Sequence, residues 1–174
     1  NILPINDPPI LSEILDISII EDSLATIIVS ASDVDSEELV FSAIGGEHLD
    51  VDLNNNELMI TPAQNWSGIE KITISVFDGY LTDTHEVDVI VHEVNDPPII
   101  SEISNQFVEE DNSIDIFLNA NDYDSDYLIY SIIEDGGMTV NISNNILTII
   151  PPENYFGQTN LSVSVSDGQF LDST

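Results

Sequence analysis

The sequence has no cysteine, a single lysine (Lys71) and no arginine among its 174 residues. Without cysteine there is no disulfide framework, no thiolate metal site and no Cys nucleophile. With one basic residue, nothing can displace counterions from a nucleic-acid backbone or form a basic patch for an anionic lipid surface. Nucleic acid is therefore excluded as a partner. Aromatics are scarce, and no apolar run approaches the ~18 residues of a membrane-spanning helix, so direct membrane insertion is not expected. What the chain has in quantity is acid: 33 Asp plus Glu, for a formal net charge of −32. Acid excess with few aromatics ordinarily signals disorder. Here 42% of residues are hydrophobic and only 20% charged, and the apolar ones are β-branched and alternating, which predicts a folded chain with an anionic surface.

The chain repeats. Asn6-Asp7-Pro8-Pro9 recurs 89 residues later as Asn95-Asp96-Pro97-Pro98. The same shift carries Glu21-Asp22 onto Glu110-Asp111, Asp33 and Asp35 onto Asp122 and Asp124, Pro62 onto Pro151, and Asp78-Gly79 onto Asp167-Gly168. Only the glycine pair, Gly45-Gly46 against Gly136-Gly137, drifts, as exposed loops do. A unit of this length suits a small sandwich and exceeds the ~20–50 residues of solenoid repeats. Leu39, Phe41 and Ala43 alternate with Val40, Ser42 and Ile44, and Ile72, Ile74 and Val76 with Thr73, Ser75 and Phe77, the period of a half-buried strand. Asn54-Asn55-Asn56 and Asp78-Gly79 are turn signals. The expected fold is all-β: two tandem antiparallel Greek-key sandwiches with about seven strands per complete unit.

The period sets expected boundaries: residues 1–7 as the end of an upstream repeat, 8–96 as the first unit and 97–174 as the second. Residues 97–174 hold no counterparts of Glu86–Asp96, the last strand of the first unit. Two expectations follow: the chain is part of a longer tandem array, or a neighbouring chain donates the strand.

The acid recurs at fixed places. Each unit has an acidic group before the second strand (Glu21-Asp22; Glu109-Glu110-Asp111), an Asp-x-Asp after it (Asp33, Asp35; Asp122, Asp124, with Asp126 beyond) and an Asp after the sixth strand (Asp78; Asp167). Glu93-Val94-Asn95-Asp96 lies between the units. Loops of a sandwich collect at two poles, so these groups can converge, where they repel one another at neutral pH. A hard cation relieves that, and calcium accepts 6–8 oxygens with flexible geometry. Zinc asks for His or Cys, but His48, His85 and His92 are not matched by histidine one period later.

The acidic pair, the Asp-x-Asp in ASDVDSEELVFS and ANDYDSDYLIYS, the strand ends SVFDG and SVSDG, and the junction EVNDPP together resemble cadherin repeats. They resemble more closely the bacterial and archaeal cadherin-like, Ig-like tandem repeats of large surface proteins. The resemblance covers the whole chain and implies calcium between successive domains. It implies a central set of Glu21 or Asp22, Glu93, Asn95, Asp96, Asp122, Asp124 and Asp167. It also implies an incomplete N-terminal set, Asn6, Asp7, Asp33, Asp35 and Asp78, and an incomplete C-terminal one around Glu110 and Asp111. Pro97 stands where metazoan cadherins have a second Asn, and Asn65-Trp66-Ser67-Gly68 where they have an acidic element, which implies one or two ions per junction rather than three. The implied role is a rigid, calcium-stiffened spacer in an extracellular or cell-surface stalk, adhesin or filament. Its partners would be neighbouring repeats of the same longer chain, and like chains or a cell-surface glycan.

Blander readings stand beside these. Asp78-Gly79 can serve as a hairpin turn alone, and Glu21-Asp22 as solvated charge guarding an edge strand. Asn65-Trp66-Ser67, Asn141-Ile142-Ser143 and Asn160-Leu161-Ser162 match the N-glycosylation acceptor pattern. Lys71 is a candidate for an intramolecular isopeptide crosslink, but its counterpart is Asn160. A second function, a carbohydrate-binding module of a secreted protein or enzyme, would use Trp66, Tyr80, Tyr123, Tyr127 and Tyr155. Catalysis is not expected: the carboxylates recur in every unit, with no nucleophile arrangement or phosphate-binding Gly loop beside them.

Overall fold

A computed structural model describes residues 5–36, 38–124 and 127–174. Residues 1–4 of the expected upstream segment, and Asp126, lie outside the described residues. The chain divides into two compact units, Asn1–Val94 and Asn95–Thr174. The division falls two residues before the boundary set by the repeat, because Asn95 and Asp96 bond to Asp167 and Asp124 of the second unit.

In unit 1 the strands are β1 (Ile10–Leu11), β2 (Ile17–Ile20), β3 (Ala25–Ile28), β4 (Ala31–Ser32), β5 (Val40–Ile44), β6 (Leu49–Asn54), β7 (Glu57–Pro62), β8 (Gly68–Phe77) and β9 (Thr82–His92). One sheet has the order β2-β9-β8-β5, the other β3-β7-β6, and β1 pairs with β4. The nine segments correspond to seven strands, since the first and second are each broken in two. Strand alternation places Ile72, Ile74 and Val76 inward at 0% exposure, with Val87, Val89 and Val91 beside them on β9. Their outward neighbours Thr73 and Ser75 face Glu86 and Thr84 across the β8-β9 ladder. Val29, between β3 and β4, and Leu58 and Ile60 on β7 complete the core from the facing side.

The sandwich departs from the expected all-antiparallel pairing at one place. β2 runs parallel to β9, with Ile17 opposite Val89 and Ile19 opposite Val91. The first strand begins antiparallel to β4 (Ile10 opposite Ser32) and then crosses to the other sheet, so it meets the last strand running in the same direction.

Unit 2 comprises β10 (Ile99–Ile100), β11 (Ile114–Phe117), β12 (Ala120–Asn121), β13 (Ile129–Glu134), β14 (Thr139–Ser143), β15 (Ile146–Ile150), β16 (Ser162–Ser166) and β17 (Leu171–Ser173). Its sheets are β11-β15-β14 and β13-β16-β17, with β10 on β12. Leu118, Leu147, Ile149, Val163 and Val165 form the core. Residues 106–109 and 157–161, the counterparts of β2 and of the start of β8, carry no strand assignment. In unit 1 both segments form ladders with Val87–His92. Extended backbone takes a strand assignment only where a neighbouring strand completes the ladder.

Candidate functional site

At one end of unit 1, three loops meet. The segment before β1 brings Asn6 and Asp7, the loop after β4 brings Asp33 and Asp35, and the β8-β9 turn brings Asp78. Asn6 Nδ2 donates to Asp78 Oδ2 at 2.8 Å, and the Asp7 N–H to Asp35 Oδ2 at 2.7 Å. Asp33 Oδ1 accepts the N–H groups of Asp35 (2.7 Å) and Ser36 (2.9 Å). Asp78 Oδ1 accepts those of Tyr80 and Leu81, both at 2.6 Å, while Gly79 takes the left-handed φ of 104° that the turn requires. The five residues of the N-terminal set thus form one hydrogen-bonded constellation.

Unit 2 repeats the pattern among its described residues. Asn95 Nδ2 donates to Asp167 Oδ2 at 2.7 Å, and the Asp96 N–H to Asp124 Oδ2. The Asp124 N–H donates to Asp122 Oδ1 at 2.9 Å. Asp167 Oδ1 accepts from the N–H groups of Gln169 (2.6 Å) and Phe170 (2.7 Å).

The other acidic residues of the expected sets lie at the opposite pole. Glu21, 4% exposed, follows β2 and accepts the Val94 N–H through Oε1 at 2.5 Å, while its own N–H donates to the His92 carbonyl at 3.0 Å. Glu93 is exposed. Asp22 and Asp111 hold left-handed φ values of 52° and 61° and accept the N–H groups of Asn65 and Asn154 at 3.1 and 2.8 Å. Their carboxylates close loops. Glu110 is exposed, on a segment without a strand neighbour. Of the central set, Glu21, Asp22 and Glu93 belong to unit 1, and Asn95, Asp96, Asp122, Asp124 and Asp167 to unit 2.

Two aspartates that sequence reasoning missed also repeat at the 89-residue period. Asp83 Oδ2 accepts the Leu11 N–H at 2.8 Å and Asp172 Oδ2 the Ile100 N–H at 2.9 Å. Their recurrence at the period was the available signal.

Hydrogen bonding to the ionised form holds several carboxyls below their ordinary values. For Asp78 the leading cause is the Leu81 N–H, then the Asn6 amide; for Asp167 it is the Asn95 amide; for Asp83 the Leu11 N–H. At Glu70, desolvation pushes up but is outweighed by bonds from His48 and Glu47. A carboxyl depressed in the folded state contributes stability that is fully present above its unfolded value and lost as pH falls through the folded one. The melting temperature is therefore expected to fall steeply below the ordinary aspartate value of 3.8. Asp83→Asn should flatten that dependence; an unchanged acid limb in this variant would contradict the assignment.

The donor set at each pole is all hard oxygen with one or two amides, which suits calcium and not zinc. Among the described residues no group of three or more His, Asp or Glu side chains is set to hold a metal ion; the carboxylates are turned onto backbone N–H groups instead. At the pole of unit 1, Asp33 Oδ2 is buried and meets no hydrogen-bond partner among the described residues. A buried carboxylate oxygen without a partner carries a desolvation cost that a bound cation would remove, so the residues fit calcium in chemistry.

The remaining candidates are placed as follows. Trp66 packs on the core of unit 1 and is stacked with His48 at a centroid distance of 4.8 Å and 4° between planes. Tyr155 packs on the core of unit 2. Tyr80, Tyr123 and Tyr127 are exposed. Lys71 pairs with Asp88 at 2.7 Å on the exposed face of the β8-β9 ladder. Asn141 and Asn160 are exposed, and Asn65 is half-buried in a left-handed turn.

The sequence model of the bacterial Ig domain family matches residues 6–90 and 95–174. No curated protein matches the chain. Among solved structures, the chain is similar to human protocadherin-24 EC1-2, at 19% identity and a TM-score of 0.55 over 98% of this chain and 94% of that one. A second crystal form of the same fragment gives 0.59 at 19% identity, covering 95% and 93%. Drosophila N-cadherin EC1-4 gives 0.59 at 13% identity, covering 97% of this chain and 48% of that one. At these identities the likeness is one of fold.

Proposed function

The chain belongs to the bacterial Ig domain family, as two adjacent copies, and from that premise we propose that it is a calcium-binding spacer in an extracellular adhesin, stalk or filament. Tandem repeats of this fold are structural and adhesive modules, generally non-enzymatic, and typically extracellular or at the cell surface. The observation that carries the calcium reading is the repeated constellation: Asn6, Asp7, Asp33, Asp35 and Asp78 in unit 1, and Asn95, Asp96, Asp122, Asp124 and Asp167 in unit 2. Two copies of five oxygen-bearing residues in the same bonding pattern exceed what a turn needs, and the partnerless Asp33 Oδ2 supports a cation. These residues would hold the ion, each set within its own unit. Bound calcium would supply positive charge that ties the linker residues Asn95 and Asp96 to the Asp-x-Asp loop.

Stiffness would be the output. Pro97 and Pro98 already favour extended backbone after the linker, and an ion holding Asn95 and Asp96 would remove the remaining freedom. The glycan-binding reading draws on aromatics of which Trp66 and Tyr155 are packed inward. Small-angle scattering in calcium and in chelator tests the proposal. Calcium is expected to narrow the distribution of end-to-end lengths; superimposable curves would remove the spacer mechanism.

A further inference from the structure

We propose that the edge strand β14 of unit 2 pairs antiparallel with β14 of a second copy of this chain, about a two-fold axis at Asn141. β14 is the outer strand of the sheet β11-β15-β14, and its register on β15 runs from Thr139 opposite Ile150 to Ser143 opposite Ile146. The intervening Asn144 and Asn145 hold φ values of 47° and 57°, which makes the two-residue turn whose flanking residues exchange both backbone bonds. Alternation from Ser143 then directs the N–H and carbonyl groups of Asn141 and Thr139 onto β15 and turns those of Val140 and Ile142 outward. Among the described residues no backbone bond outside the sheet ladders engages them.

Charge identifies a like chain as the occupant. A two-fold contact sets its central residue against its own copy, so a charge there meets a like charge. Unit 1 shows the contrary arrangement. Its matching edge strand, β6, exposes Asp50 and Asp52, and β7 beside it exposes Glu57, charges of the kind that keep an edge unpaired. One period on, those three positions are Thr139, Asn141 and Ile146. A basic partner would gain from keeping those acids; a second copy with a net charge of −32 requires their absence. The carboxylate that remains on this sheet face, Asp115, lies on the far strand β11 and accepts the Thr148 hydroxyl at 2.7 Å.

In the register centred on Asn141, Val140 and Ile142 of one copy exchange backbone bonds with Ile142 and Val140 of the other, and their half-buried side chains extend the inner face. On the outer face Thr139 stands opposite Ser143, a hydroxyl pair. The two Asn141 amides meet at the axis, each offering donors and an acceptor where paired aspartates would offer acceptors alone. A contact one strand wide falls below the ~1,200 Å² of a standard interface, so it is weak, and the net charge opposes it. Association should therefore tighten with salt, because the Debye length shrinks from about 8 Å at 0.15 M to about 3 Å at 1 M.

Sedimentation equilibrium tests this on the chain without glycan at Asn141, at up to about 1 mM protein, at both salt concentrations and in chelator so that ions at the poles play no part. The expected result is a monomer–dimer equilibrium that tightens at high salt. Amide exchange at Val140 and Ile142 should slow as protein concentration rises, while that at Asn141, already bonded to β15, stays the same. Thr139→Asp/Asn141→Asp, which restores the acids of unit 1, should weaken dimerisation at least about tenfold, and the uncharged Thr139→Ser/Asn141→Ser should retain it. The proposal is overturned if the chain stays monomeric at the highest concentration in 1 M salt, or if the aspartate variant dimerises as tightly as the parent. It is equally overturned if the serine variant loses as much as the aspartate one, or if the slowed amides lie on another edge, such as Val40–Ile44.

Discussion

Calcium at about 10 mM is expected to raise the melting temperature of the chain by roughly 6–20 °C relative to chelator. Extracellular calcium modules bind at about 10⁻⁴–10⁻³ M, so this concentration is about 10–100 times the dissociation constant and adds about 1.4–2.7 kcal/mol per occupied site. A domain of this size shifts by about 4–8 °C per kcal/mol. The gain should exceed that from magnesium at equal concentration, since magnesium demands near-ideal octahedral geometry and gives up water reluctantly. An equal response to both ions would point to general screening of the −32 charge rather than to ligation at the poles.

Ile74→Ala is expected to lower the melting transition of unit 1 by roughly 10–30 °C and to leave that of unit 2 unmoved. Ile74 is wholly buried on β8, between Ala43 on β5 and His85 on β9. Truncating such a side chain costs about 2–5 kcal/mol, against a total stability of about 5–15 kcal/mol for a domain. The matching position in unit 2 is Val163, which is also buried; Val163→Ala removes one methylene fewer and should act on the other transition with a smaller shift. Calorimetric scans of the two variants decide this. A common shift of both transitions would show one cooperative block rather than two units with separate cores.

Much of the fold could be read from residue order because it rests on local pattern. The alternation at Ile72, Ile74 and Val76 assigns an inward face without reference to the rest of the chain, and the 89-residue period counts the units. The parallel pairing of β2 with β9 was not legible: a period of two says which face is buried, not which way the neighbouring strand runs. The segments 106–109 and 157–161, which carry no strand assignment, show the same limit from the other side, because pairing depends on residues distant in the chain.

At the candidate site the Asn-Asp linker, the Asp-x-Asp and the Asp-Gly turn were legible, and the structure brings them together in each unit. The acidic pairs were legible only as acid. Whether Glu21 faces solvent or accepts the Val94 N–H depends on where β9 ends relative to β2, and Asp22 is drawn to Asn65 by a left-handed turn that its neighbours do not announce. Asp83 and Asp172 escaped for a similar reason. Each sits in a polar strand opening, and the N–H it accepts comes from a residue 72 positions earlier.

Calorimetric titration of calcium into the chain tests the central claim most directly, compared with Asp33→Ala/Asp35→Ala and Asp122→Ala/Asp124→Ala variants of confirmed fold. The account predicts saturable binding in the range of about 10⁻⁴–10⁻³ M, with each double variant losing the sites of its own pole and keeping those of the other. Absence of binding, or binding unchanged in both variants, would contradict it.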